Sequence, residues 1–547
     1  MGTPVVNVGK FASAIEARLN NSVVGYSFVV GGAAVPAVKH SAGSARTAAN
    51  APALPFLTST PTGVGSVSKF ITAIAAVQLL DRPDAGGVQG WNVLNADLDT
   101  PMYKALPPYW TLRNDIQQIT FRDLLTHTSG LPAEGAQGEP GQDYFSLKKY
   151  LSPNPPAGST PLGPRGSAAY SNFGFGLFRL LLPNIVGLVP TDDPGQYEQQ
   201  RATQYALQYQ AILNDNIWGQ LNITGPSQGT PAGNNHAFMY TYPGNTSGYD
   251  WSQWKYPGQT APGEGQPLCA GAGTAWVSID WFAPVLDSIN KIDQRLLTLE
   301  QWEHMQGIGV PSGYQGLGMG IDQLSVNVNG NQYRWVEKNG GLGWFVSSGG
   351  GSLSASVAFF GSMQPTSNPD NGPFYAALCV NSDISGGPGA NNAWFYCQKC
   401  NTLFTSQSGG NLCPANGKAH TTGGQYILST AQQPGGQSGW RQCSKCAALC
   451  YEPGSTDPSN CKAGGRHTPT GNTFVLSQSG QSDTEHQANW RWCKNCGVLA
   501  YSGGAASAGS CAAGGAHQFV LSGSNYAVQV LIGADTVLFE AFKAATM

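Results

Sequence analysis

The chain has 547 residues, of which 41% are hydrophobic, so it is long enough for more than one domain and can bury a substantial core. Only 11% of the residues are charged and the formal net charge is −3, without a run of Lys or Arg, which argues against nucleic acid as a partner. No apolar stretch reaches the roughly 18 residues of a membrane span, so no transmembrane helix is expected.

The N-terminus carries no sign of a targeting segment. It lacks the basic start and apolar run of a signal peptide, and Val6 stands where a myristoylation signal needs Ser or Thr. Asn-x-Ser/Thr triplets at Asn222 and Asn245 would suit a secreted protein. The sequence leaves the compartment open between the cytoplasm and secretion with a removed leader.

The first half of the chain predicts helices around a buried core. Residues 8 to 20 have the spacing of an amphipathic helix, and Val24 to Val30 form a strand-like run. A buried helix is expected from Phe70 onward, and ITFRDLLTHTSGLP predicts a short helix closed by Gly130. Residues 183–268, rich in Gln, Tyr and Gly, predict a long insertion or lid.

The pattern changes to strands between Tyr333 and Ser385, where apolar runs are separated by Gly- and Pro-rich turns. Helices followed by consecutive strands predict an α+β fold, in which helices flank a sheet. We therefore predict a first domain over residues 1–388.

From about residue 390 the sequence repeats itself three times. Trp394, Trp440 and Trp490 each stand three residues before a Cys-x2-Cys pair, and a third Cys and a His follow in register. Each unit is expected to close on a YIL or FVL triplet, so the array spans residues 389–522. Residues 523–547 predict a strand and a helix that return to the first domain, which would make the repeats an insertion.

The repeated Cys and His residues predict three metal sites. Three thiolates and one imidazole suit a tetrahedral structural Zn²⁺ with no open position for catalysis, so about three zinc ions per chain are expected. Disulfides are the alternative, but three Cys cannot pair within a unit and the His has no role in them. The predicted ligands are Cys397, Cys400, Cys413 and His420; Cys443, Cys446, Cys461 and His467; and Cys493, Cys496, Cys511 and His517.

These units resemble zinc-ribbon-like modules. Their role is open between binding a partner or polymeric substrate and forming a rigid wall or an oligomer contact beside the first domain.

A second set of residues has the chemistry of a hydrolase. Ser66 and Lys69 form a Ser-x-x-Lys element at the start of the buried helix, where one turn brings the hydroxyl and the amine together. The helix N-terminus also stabilises negative charge on the attacking oxygen. Tyr170 and Asn172 precede a further helix, and a phenol beside an ammonium group ionises more readily and can act as a general base.

Lys338 and Gly340 form a Lys-x-Gly element on a predicted strand, followed by Gly341, where backbone N–H groups could bind an oxyanion. Ser-x-x-Lys, Tyr-x-Asn and Lys-x-Gly in this order resemble the three active-site elements of the penicillin-recognising hydrolases. GSVSKFITAIAAVQLLD, ITFRDLLTHTSGLP and AGAGTAWVSIDWFA are similar to segments of the class C β-lactamase-like group. That group includes D-Ala-D-Ala carboxypeptidases, D-amino-acid amidases and carboxylesterases.

The resemblance implies a β-lactamase-like antiparallel sheet flanked by helices and an acyl-enzyme formed on Ser66. It implies that Lys69 and Tyr170 share proton transfer during acylation and deacylation, and that Asn172 helps to orient them. A Tyr-based route is expected for deacylation.

The resemblance also implies that Lys338 supports Tyr170 and meets an anionic substrate group, and that the N–H groups of Ser66 and Gly341 form the oxyanion hole. His127, in the THTSGLP turn, is expected to be structural. Asn339 stands where β-lactamases usually carry Thr, which weakens the case for β-lactam turnover.

We therefore expect a serine carboxylesterase that acts on small or neutral esters. The alternatives are a D-amino-acid amidase, a D-Ala-D-Ala carboxypeptidase or a β-lactamase-like peptidase, which Lys338 favours because it could hold a carboxylate. A non-catalytic binding protein on a hydrolase scaffold is the alternative from another class. The expected partner is a small ester or amide, and the oligomeric state stays open, a homo-oligomer included.

Overall fold

The computed structural model of the protein describes residues 6–32, 35–81, 92–133, 141–229, 231, 233–242, 244–253, 270–307, 318–328, 331–345, 352–362, 374–384, 390–405, 411–432, 435–451, 460–478, 480–483, 485–503, 507–520 and 525–546. None of the helices within these ranges combines the length and the hydropathy that a membrane crossing requires.

The described α-helices are α1 Val8–Leu19, α2 Val67–Leu80, α3 Phe121–Leu125, α4 Tyr144–Leu151, α5 Asn172–Gly176, α6 Phe178–Ile185, α7 Glu198–Leu213, α8 Ile279–Lys291, α9 Leu299–Met305 and α10 Ala534–Ala545. The strands before residue 385 are β1 Gly25–Gly32, β2 Val35–Arg46, β3 Leu54–Pro55, β4 Thr62–Gly63, β5 Ser227–Gln228, β6 Ala275–Val277, β7 Asp322–Val328, β8 Asn331–Phe345, β9 Ser352–Ser362 and β10 Phe374–Val380. The later strands are β11 Ala390–Cys397, β12 Leu403–Thr405, β13 Thr422–Ser429, β14 Gly436–Cys443, β15 Leu449–Tyr451, β16 Pro469–Ser477, β17 His486–Trp492, β18 Leu499–Tyr501, β19 Ser507–Ser510, β20 Ala516–Gln518 and β21 Tyr526–Val530.

A seven-stranded antiparallel sheet of order β3-β2-β1-β10-β9-β8-β7 forms the centre of the first part of the chain. Side chains alternate between its two faces, so Phe28 and Val30 pack with α1 and α10, while Val29 belongs to the core around α2. The sheet thus lies between two layers of helices, and the α+β fold predicted from the sequence is confirmed.

Helices α1 and α10 cover one face of this sheet. Asn7 caps α1 by accepting a hydrogen bond from the Lys10 amide, and apolar side chains recur along the buried side of the helix. The Phe11 ring of α1 lies 6.2 Å from the Phe542 ring of α10, measured between centroids. The last helix of the chain therefore shares a core with the first.

Helix α2 is the centre of the opposite layer, and all 14 of its residues are buried. Helix α7 packs against it, where Tyr209 Oη lies 2.7 Å from Thr72 Oγ1. The expected insertion or lid over residues 183–268 therefore differs from the structure in its first part, because α7 turns its apolar side into the core. Residues 254–269 of that segment lie outside the described residues.

The three repeats form one nine-stranded sheet. Each repeat contributes a long strand, a short strand paired with it, and a return strand; the return strands β13, β16 and β21 pair with one another. Each buried Trp of a long strand packs edge-to-face on an aromatic ring of another repeat, at centroid distances of 5.0 to 5.4 Å. The array is therefore a closed ring of three units.

The third repeat ends later than the sequence predicts. Its return strand is β21, in which Tyr526 pairs with Trp490 as Tyr426 pairs with Trp394. The FVL triplet from Phe519 cannot supply this strand, because Phe519 follows His517 too closely and instead bridges to the backbone of its own Cys-x2-Cys pair. The assignment of this strand, within residues 523–547, to the first domain was thus wrong, since the strand belongs to the ring. Helix α10, by contrast, packs on β8, β9 and β10 of the seven-stranded sheet.

Candidate active site and metal centres

Ser66 lies at the entrance of α2, where two glycines shape the backbone. Gly65 adopts φ +51°, which turns the chain into the helix. Gly340 of β8 packs directly on this turn: a Cβ atom there would lie 1.9 Å from the Val64 carbonyl oxygen and 3.2 Å from the Ser66 nitrogen. The side chain of Ser66 makes no capping bond, so its hydroxyl is available to the neighbouring cleft.

Lys69, one turn further along α2, is completely buried. Its Nζ donates to Ser66 Oγ at 3.1 Å, to Asn172 Oδ1 at 2.7 Å and to the Ala272 carbonyl at 2.7 Å. Three acceptors match the three N–H bonds of an ammonium group, which satisfies the charged form of this buried amine. The backbone acceptor at Ala272 was not foreseen from the sequence, because a carbonyl group leaves no signature in residue identity.

Tyr170 directly precedes Ser171, the N-cap residue of α5. The Ser171 side chain accepts a hydrogen bond from the Gly174 amide. The Tyr170 hydroxyl donates to Ser66 Oγ at 2.5 Å. The Lys69 and Lys338 ammonium groups lie 4.7 and 5.0 Å from the centroid of its ring. Two positive charges beside one phenol favour its ionised form electrostatically.

His127 packs against the other side of this phenol, with 4.5 Å between the ring centroids. Its Nδ1 accepts a hydrogen bond from the Ser171 amide at 3.1 Å. Burial, followed by the charges of Lys69 and Lys338, holds the pKa of His127 well below its ordinary value. The imidazole is therefore neutral at neutral pH and serves to pack and align the Tyr170 segment.

Lys338 projects from β8 toward the same cleft and is only 3% exposed. Its Nζ forms an ion pair with Asp322 Oδ2 at 3.0 Å, across the β7–β8 ladder. The Asp322 side chain is 54% exposed. No motif marks Asp322 in the sequence, because its contact with Lys338 depends on the pairing of β7 with β8, in which Asp322 lies opposite the neighbouring Glu337.

The residues that follow Lys338 divide between the two faces of the sheet. Asn339 points to the opposite face, where its Nδ2 donates to Asp535 of α10 at 3.1 Å. The side chain of Asn339 therefore does not face Ser66, and its identity does not weigh against β-lactam substrates. Gly341 stays beside the Ser66 turn: a Cβ atom on Gly65 would lie 3.1 Å from the Gly341 carbonyl oxygen.

The structure brings the ligand atoms of each predicted metal set within 4.8 Å of one another, in three buried groups. In the first set, Cys397 Sγ lies 3.8 Å from Cys413 Sγ, and Cys400 Sγ lies 3.4 Å from His420 Nδ1. The other two sets repeat these distances within 0.1 Å. A disulfide needs about 2.05 Å between sulfurs, whereas a tetrahedron with metal–sulfur bonds of about 2.3 Å has edges of this length. The three sets are thus suited to metal ions.

Outer contacts of the histidines link one metal set to the next. His467 Nε2 lies 2.9 Å from the Cys496 carbonyl, and His517 Nε2 lies 3.0 Å from the Cys400 carbonyl. Donation from Nε2 leaves Nδ1 free as a ligand, a common arrangement around bound metals. His420 Nε2 is buried and has no hydrogen-bond partner among the described residues.

Comparison with known proteins gives one family match: the model named Beta-lactamase matches residues 11–360. No curated protein matches the chain. Similar solved structures include an octameric penicillin-binding protein homologue from Pyrococcus abyssi, with 20% identity, a TM-score of 0.41, and 69% of this chain and 74% of that chain covered. They also include the D-amino acid amidase from Ochrobactrum anthropi SV3, with 16% identity, a TM-score of 0.44 and coverage of 68% and 91%. A beta-lactamase/D-alanine carboxypeptidase from Yersinia pestis has 18% identity, a TM-score of 0.42 and coverage of 69% and 91%.

Proposed function

Because the chain belongs to the beta-lactamase family, we propose that it is a serine hydrolase that forms an acyl-enzyme on Ser66. The observation that carries the proposal is that Ser66 Oγ lies within hydrogen-bond distance of both Lys69 Nζ and Tyr170 Oη. Contact of one hydroxyl with both a cation and a phenol is typical of an activated nucleophile.

In the proposed acylation step, Ser66 Oγ attacks the substrate carbonyl and its proton passes to the ionised oxygen of Tyr170. The ammonium groups of Lys69 and Lys338 stabilise that phenolate, and Asn172 holds Lys69 in place. The N–H groups of Ser66 and Gly341 donate hydrogen bonds to the developing oxyanion.

Tyr170 then returns the proton to the leaving group, which departs as an alcohol or an amine. In deacylation the same phenolate removes a proton from a water molecule, which attacks the acyl carbonyl. Tyr170 then returns this proton to Ser66 Oγ as the acyl–oxygen bond breaks and the acid product leaves. One group thus serves as base and acid in turn, as microscopic reversibility requires.

We further propose that the preferred substrates are small or neutral esters. In this cleft Lys69 and Lys338 carry two positive charges, and Asp322 and an ionised Tyr170 carry two negative charges. The cleft therefore has no net charge that would attract an ionic substrate. The second candidate is a carboxypeptidase or amidase of D-amino-acid substrates. It is favoured by the position of Lys338 beside Tyr170, where a cation can meet a carboxylate.

For the repeats we propose a structural role with zinc in each Cys3His set. Tetrahedral thiolate and imidazole ligands select zinc among the common divalent ions. All four positions are filled by protein atoms, so the metal would supply folding energy rather than catalysis.

The test of the hydrolase proposal is Ser66→Ala, assayed with p-nitrophenyl esters, D-amino-acid p-nitroanilides and a chromogenic cephalosporin. Loss of the nucleophile should reduce turnover of the best substrate by about 10⁴-fold or more, and a fluorophosphonate probe should no longer label the protein. Ser146→Ala is the matched control, because Ser146 and Lys149 form a second Ser-x-x-Lys element on α4. Labelling that persists in Ser66→Ala would reject Ser66 as the nucleophile.

A further inference from the structure

We infer that Asp322 determines the charge of the substrate by occupying the position at which a substrate carboxylate would meet Lys338. The inference rests on the proposed hydrolase function of Ser66 and narrows its substrate class to molecules without an anionic group near the scissile bond. It also distinguishes the ester candidate from the candidate that binds a free carboxylate.

Lys338 lies beside the residues proposed to carry out the reaction. Its ammonium group lies 5.0 Å from the Tyr170 ring, and the Tyr170 hydroxyl contacts Ser66. Lys69, the other cation beside this ring, is buried and already donates to three acceptors. Of these two cations, Lys338 is therefore the one toward which an anionic substrate would be drawn.

Lys338 already has a carboxylate partner, Asp322. A nearly buried ammonium group is costly without a compensating charge, and Asp322 supplies that charge at 3.0 Å. Since more than half of the Asp322 side chain is exposed, its negative charge reaches the solvent-facing side of the pair. An incoming carboxylate would meet the repulsion of Asp322 before it gained the attraction of Lys338.

The backbone around Asp322 holds this residue beside Lys338. It is the first residue of β7, and the residues before it are bound on both sides: Met319 N donates to the Met305 carbonyl, and Gly320 N to the Leu125 carbonyl. Gly320 adopts φ +69°, and a Cβ atom there would lie 2.7 Å from the Lys69 carbonyl oxygen. The carboxylate therefore belongs to the rigid wall of the cleft and not to a loop that an anion could displace.

The test uses two p-nitrophenyl esters of equal acyl length, the butyrate and the singly charged succinate. For the unaltered protein we expect kcat/KM for the butyrate to exceed that for the succinate by about 10-fold or more, because like charges repel at close range. Asp322→Asn keeps the size and an acceptor oxygen for Lys338 but removes the charge. It should raise the succinate-to-butyrate ratio by about 10-fold.

Asp215→Asn is the control for net charge, because Asp215 is exposed on the surface after α7. It should leave the ratio unchanged. If the unaltered protein hydrolyses both esters equally well, or if Asp322→Asn leaves the ratio unchanged while butyrate turnover persists, the inference is overturned and the hydrolase proposal stands. If neither ester is hydrolysed and the fluorophosphonate probe does not label Ser66, the proposed function fails and this inference fails with it.

Discussion

At the scale of single residues, Gly340 determines how closely β8 approaches the nucleophile. The strand passes so near the turn before α2 that a methyl group would overlap the Val64 carbonyl. A Cβ atom built on the neighbouring Gly341 would have no atom of the described residues within 4 Å. Steric contact therefore requires glycine at position 340, whereas position 341 has room for a side chain.

This contrast predicts the stability of two variants. Gly340→Ala should lower the free energy of unfolding by about 1–3 kcal/mol, because backbone on both sides must move apart. Gly341→Ala should leave it unchanged or raise it slightly, because alanine has less conformational freedom in the unfolded chain. Thermal unfolding followed by circular dichroism measures both. Equal melting temperatures for the two variants would contradict the packing of β8 on the Ser66 turn.

At the scale of elements, the three repeats hold one another in a cycle of backbone hydrogen bonds. Thr405 N donates to Ala447 O, Tyr451 N to Gly497 O, and Tyr501 N to Asn401 O. The three acceptor residues share a positive φ. Each unit thus completes the backbone pairing of the next, and the last unit returns to the first.

A closed ring predicts that metal is lost from more than one unit at a time. The intact protein should contain about three zinc ions, measured by elemental analysis. Cys461→Ser should lower the zinc content by more than one ion per chain, because the disordered second unit leaves both neighbours without a partner strand. Cys450→Ser in the same unit is the control and should retain all the zinc, since Cys450 lies outside the ligand sets.

The opposite outcome is that each repeat binds its zinc ion independently of the other two. A loss of one zinc ion from Cys461→Ser, with the other two held as firmly against a chelator as before, would show that the repeats load separately.

At the scale of the whole molecule, the ring is placed between two elements of the first domain. Ile384 after β10 and Ile532 before α10 belong to the same apolar cluster of that domain. The ion pair between Arg18 and Glu485 joins the two parts at a partly exposed position, where such pairs contribute little. The apolar side of α10, in contrast, is buried on the sheet, with Phe542 fully inaccessible.

Two shortened chains should therefore behave differently. Joining residue 384 to residue 532 by a short Gly/Ser linker should leave a folded, active hydrolase, because the two ends lie in one cluster. Ending the chain after Val530 should give an unfolded or insoluble first domain, because one face of the sheet is uncovered. Ester turnover and circular dichroism distinguish them. An inactive linked chain together with an active truncated chain would show that the ring, and not α10, supports the domain.

The sequence by itself determined what depends on local geometry and repetition. Ser66 and Lys69 meet because one helical turn separates them. The three Cys3His sets were recognised because their spacing recurs three times. The family resemblance and the α+β fold, both drawn from such local segments, are confirmed; the roles of the individual site residues stay predictions.

Only the tertiary structure decided which distant residues meet. Asp322 reaches Lys338 because β7 lies beside β8, where Asp322 is paired with the neighbouring Glu337. Asn339 turns away from the cleft because side chains alternate along β8. Tyr526, and not Phe519, closes the third repeat because Phe519 follows His517 too closely to reach the return strand and instead bridges to Cys493. These outcomes depend on pairings between remote segments, whose energies are collective and leave no spacing in the sequence from which they could be predicted.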